Sequence, residues 1–120
     1  MIDIKIIYIS YMKNEKEVLM PRFKDGVDHT DMSDNITRHY DRIDKIHNKH
    51  VDRDALITSA RDGEHKTDSL HYSGKAIDLR TRDMDTGIAR KVTRDIQNEL
   101  GRDYDVILEH NHIHLEYDPD

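Results

Sequence analysis

The chain has 120 residues, with 35% hydrophobic and 37% charged residues and a formal net charge of −6. That length suits one domain, residues 1–120, with a modest core built from short, well-patterned elements. The acidic balance argues against sequence-independent nucleic-acid binding, and the absence of cysteine excludes disulfides and thiolate zinc sites.

Residues 2–9, "IDIKIIYI", read as a strand. Asp3 and Lys5 interrupt its apolar run and no small-residue cleavage site follows, so it is not a signal peptide. No stretch reaches transmembrane length, so the expectation is a chain that is cytoplasmic when made. Residues 13–34 are polar, contain Pro21 and Gly26, and read as loop. Asn35 then caps a helix to about residue 50, with Ile36, Tyr40, Ile43 and His47 on one face and solvated charges on the other.

"ALITSA" (55–60) reads as a short strand. "KAIDLR" (75–80) alternates, with Ile77 and Leu79 on one face and Ala76 and Asp78 on the other. A second helix spans about 87–100, with Ile88, Val92, Ile96 and Leu100 in line and Gly101 to end it. Residues 105–117 sort only as a hairpin turning at His110-Asn111, where Asn tolerates a left-handed turn. Val106, Leu108, Ile113, Leu115 and Tyr117 then share the apolar face. Asp105, Ile107, Glu109, His112, His114 and Glu116 share the other. A slip of one residue would bury the histidines.

Nine histidines are many for this length, and without cysteine a metal site must use imidazole and carboxylate, which suit zinc. His71 and Asp78 flank the small-residue stretch "YSGKAI", where Gly74 and Ala76 would let the backbone come close to a metal. A catalytic zinc takes three protein ligands and keeps one position open. His71, Asp78 and one histidine of the pair His112/His114 would supply the three. A His-x-His pair alone is weak, because any strand can carry one. Two such clusters in one short chain carry the hypothesis.

"SLHYSGKAID" resembles the Ser-x-His-x-x-Gly-x-Ala-x-Asp motif of the D-alanyl-D-alanine carboxypeptidase and VanY-type zinc peptidases. That superfamily includes phage L-alanyl-D-glutamate endopeptidases and the hedgehog zinc domain. "ITSARDGEH" and "NHIHLEY" resemble the flanking motifs, so the resemblance covers about residues 55–117. It implies an α+β fold: a small antiparallel sheet carrying one zinc ion on one face, with helices packed on the other. It makes His71 and Asp78 metal ligands and points to His114 as the third, since "LEY" follows it. The family's usual general-base position, three residues before the ligand histidine, is Asn111 here. Glu109 lies three before His112, so an arrangement with His112 as ligand stands beside the first. With His114 as ligand, Glu109 is the base and His112 a catalytic neighbour. Arg61 is implied to bind a substrate carbonyl or carboxylate, against the plainer reading of a surface ion pair. Ser69 either shapes the loop or touches substrate, and His65 lies in the same loop region.

The function implied is zinc-dependent hydrolysis of a peptide bond in peptidoglycan stem peptides, by a monomer of the phage lysis type acting at the cell wall or periplasm. The alternative is a zinc-stabilised binding domain without turnover, as in the hedgehog branch.

Overall fold

The computed structural model describes residues 20–62 and 69–119. The expected strand at 2–9 and His65 lie outside the described residues. Among the described residues, eight elements follow in chain order: β1 (Arg22–Phe23), α1 (Asp34–Thr37), α2 (Tyr40–His50), β2 (Leu56–Ser59), β3 (Ala76–Arg80), α3 (Thr86–Leu100), β4 (Tyr104–Leu108) and β5 (His112–Tyr117). The five strands form one sheet in the order β1-β2-β3-β5-β4. The fold is α+β, as the sequence implies, but the sheet is mixed and not purely antiparallel. β1 runs parallel to β2, whereas the other neighbours pair antiparallel.

β1 falls in the stretch expected to be loop. It has only two residues and is defined by its partner: the Arg22 amide donates to the Ala55 carbonyl and the Lys24 amide to that of Ile57. No local apolar pattern announces a strand so short.

The expected helix from Asn35 to 50 is two helices, and its cap is Ser33. The Ser33 hydroxyl accepts from the Asn35 amide at 3.3 Å. The break at Arg38-His39 has a tertiary cause. The Tyr104 hydroxyl donates to the Asn35 carbonyl at 2.7 Å and lies 2.9 Å from His39 Nε2 and 3.4 Å from Arg38. These contacts from β4 hold the first turn at its own angle. Ile36, Tyr40, Ile43 and His47 are nonetheless all buried, as their spacing predicts.

α3 matches its expected span. The Asp85 carboxylate caps it by accepting from the Ile88 amide at 2.8 Å. Gly101 ends it at a φ of 87°, a conformation that costs glycine least. Val92, Ile96 and Leu100 are buried with Ala89, and Ile88 packs at the edge of the core.

The core joins these helix faces to one face of the sheet: Ile57, Ile77, Leu79, Val106, Ile113 and Leu115 meet Ile36, Ile43, Val92 and Ile96. The hairpin has the expected register, with Leu108 opposite Ile113 and the Glu109 amide donating to the His112 carbonyl at 2.8 Å. Its turn differs in one respect. Neither His110 nor Asn111 has a positive φ, so the left-handed tolerance of Asn is not used. Among the described residues, no helix is long and apolar enough to cross a membrane.

Candidate metal centre

Because the core takes one face of β3, β5 and β4, strand alternation delivers the other face to solvent. On it, Asp78 lies opposite His114 and Arg80 opposite His112. Across the hairpin, Ile107 lies opposite His114 and Asp105 opposite Glu116. His112 and His114 are two positions apart on β5, so both face the same way. The neighbouring strand decides which of them meets the aspartate.

His71 reaches this face from the loop before β3. Its position is built by short-range bonds: the Ser69 hydroxyl accepts from the His71 amide at 3.2 Å, and the Lys75 and Gly74 amides donate to the Leu70 and His71 carbonyls. Gly74 has a φ of 73°, and a Cβ there would lie 2.8 Å from the Asp31 carbonyl oxygen and 3.0 Å from the Ser33 nitrogen. Its smallness therefore docks the loop against residues 31–33. It is not a clearance for metal, contrary to the sequence-based expectation.

Three donor atoms converge. Asp78 Oδ1 lies 3.0 Å from His114 Nδ1 and 3.4 Å from His71 Nε2, and the two histidine nitrogens are 3.3 Å apart. Two ligands bound tetrahedrally at 2.0–2.1 Å stand about 3.3 Å apart, so this group has the spacing of one face of a zinc tetrahedron. Each ring is oriented from behind. His71 Nδ1–H donates to the Ala60 carbonyl at 2.8 Å, and His114 Nε2 lies 3.1 Å from Glu116 Oε1. Such partners fix the tautomer and ring plane of a metal-ligating histidine. The group His71, Asp78 and His114 can hold a metal ion, and its nitrogen and oxygen donors suit zinc.

The electrostatics agree. Burial alone would push the Asp78 carboxyl up, but hydrogen bonds from His114 and His71 and the nearby imidazoles outweigh it and hold the carboxyl well below the usual range. The hydrogen bond to Asp78 raises the His114 imidazole against its burial, with Glu116 adding to the effect.

The other expected site residues separate into two sets. Glu109 and His112 line the same cleft as the three donors, together with Ser69, Ile107 and Glu116. His112 Nε2 is 3.9 Å from Asp78 Oδ1 and 3.9 Å from Glu109 Oε1, outside bonding distance of both. Arg61 is not brought into the group. Its guanidinium faces the carbonyls of Tyr72 at 3.4 Å and Thr30 at 3.3 Å, and the Asp31 carboxylate at 3.5 Å. It ties the His71 loop to residues 30–31. Glu116, the carboxylate behind His114, shares this face, and sequence reasoning assigns it no role. Its spacing of two from His114 on one strand is the signal that points to it.

Compared with known protein families, residues 13–116 match the Hedgehog amino-terminal signalling domain. No curated protein and no solved structure matches the chain.

Proposed function

The chain belongs to the Hedgehog amino-terminal signalling domain family, and from that premise we propose that it is a zinc-stabilised binding domain. His71, Asp78 and His114 hold one zinc ion on the open face of the sheet. One observation carries this reading: the three donor atoms stand 3.0, 3.3 and 3.4 Å apart, with both rings oriented from behind. Bound there, zinc cross-links the His71 loop to β3 and β5 and supplies a Lewis-acid centre facing the cleft. The residues around it shape what the cleft receives. Glu116 orients His114, and Ile107, 49% exposed, offers an apolar shelf beside it.

A second reading, hydrolysis of a peptide bond in peptidoglycan stem peptides, is favoured by Glu109. Its carboxylate lines the same cleft as the metal group without belonging to it. In that reading Glu109 takes the proton of the attacking water and returns it to the leaving amine. The two readings part on one experiment. Zinc-loaded protein is incubated with purified peptidoglycan and the soluble fragments are weighed by mass spectrometry. The binding-domain reading predicts no release. Release that falls about a hundredfold or more in Glu109→Gln, with zinc retained, replaces it with the hydrolase reading.

A further inference from the structure

Beside the metal group, the described surface carries a second recess of about 250 Å³, lined by Lys24, Arg80, Arg82 and Asn111 and sharing Asp78 and His112 with the main cleft. Strand alternation puts Arg80 on the same face as Asp78, and pairing sets it opposite His112. Arg82 follows two residues on, and Lys24 closes the recess from the end of β1.

Three cations therefore gather in a chain whose formal net charge is −6. Carboxylates nearby are already engaged. Arg53 takes Asp83 through two bonds, at 2.6 and 2.7 Å, and Asp78 faces His114 and His71. Among the described residues, no ion pair joins Lys24, Arg80 or Arg82 to a carboxylate. Toward the other end of β3 the main cleft has the reverse character, with Glu116, opposite Ala76, and Asp118 in its walls. The site face is thus polarised across the metal group.

We propose that the recess of Lys24, Arg80 and Arg82 is an anion subsite that receives the free carboxylate of a peptide ligand lying along the site face. Two guanidinium forks fit a carboxylate better than lysines would, because each can present two parallel N–H donors. The half-buried Arg80 sets the position, and the exposed Arg82 and Lys24 add charge from the rim. The carboxylate end then lies toward β1 and the rest of the peptide passes His112 and Ile107 toward the acidic end.

This inference rests on the reading of the face as a ligand site, but its test separates the two. Zinc-loaded protein is titrated with N-acetyl-alanyl-alanine and with the same peptide amidated at its C-terminus, following the backbone amide resonances of Thr58, Arg80, Arg82 and Asn111. The acid should bind about tenfold or more tightly than the amide, the scale of a charge-assisted pair. Arg80→Gln with Arg82→Gln should erase that preference while zinc content stays at the parent level. Arg82→Gln alone, at an exposed position, should weaken it without risk to the fold. Equal binding of acid and amide, or a preference that survives the double variant, overturns the subsite. A preference seen in protein that takes up no zinc would sink the metal reading and leave the subsite standing.

Discussion

The two faces of the sheet are made by the same three strands and held by opposite physics. On the core face, Ile77, Leu79, Ile113 and Leu115 are 1% exposed or less. Their stabilisation is apolar area removed from water, which is non-directional and tolerant of small shifts. On the site face, Asp78, His114 and the approaching His71 are also shielded, with side-chain exposures of 14%, 19% and 3%. There the gain depends on donor atoms meeting at about 3 Å. The comparison teaches that one alternation pattern fixes both: the core sets the register, and the register sets which polar groups meet.

The largest effect that tests this division is truncation of the core. Leu79→Ala or Ile113→Ala should destabilise the domain by about 2–5 kcal/mol, measured by denaturant unfolding, whether or not zinc is present. A smaller loss for both would mean that the metal face, not the core, carries the fold.

Next comes the site face. His71→Ala and Asp78→Ala should each abolish most zinc uptake. In the parent, zinc at a hundred times its dissociation constant should add about 2.7 kcal/mol, seen as a higher melting temperature that chelator reverses. Identical melting with and without chelator would show that the site face adds nothing to stability.

The pH dependence sharpens the contrast. The His114 imidazole is raised above its usual 6.5 mainly by Asp78. The stabilisation from that bond in metal-free protein is present below 6.5 and fades as pH rises through the raised value. The depressed Asp78 carboxyl contributes above its usual 3.8 and loses its share as pH falls toward its own lower value. Zinc, however, requires His114 without its Nδ1 proton. The gap in melting temperature between zinc-loaded and chelated protein should therefore narrow as pH falls from about 7.5 to 5.5. A gap independent of pH would exclude His114 as a ligand.

The smallest effect lies away from both faces. Asp85→Ala removes the α3 cap and should lower stability by about 1 kcal/mol with zinc content unchanged.

These residues also mark where the sequence was legible. The hairpin register could be read because its apolar positions, 106, 108, 113, 115 and 117, sort on one face in only one pairing. The choice between His112 and His114 could not, because both satisfy that pattern. It depends on β3, whose Asp78 falls opposite His114, a long-range alignment that no local spacing encodes. β1 went unseen for the same reason, being two residues defined by β2. Arg61 shows the converse. A motif supplies the residue but not its direction, and here loop carbonyls occupy its guanidinium.

The most direct test of the account is zinc content per chain, by elemental analysis after purification without added metal and again after zinc loading and dialysis. The parent and His112→Ala should each retain about one zinc, and His114→Ala should retain almost none. Zinc kept by His114→Ala and lost by His112→Ala, or no zinc in the parent after loading, would contradict the metal centre assigned to His71, Asp78 and His114.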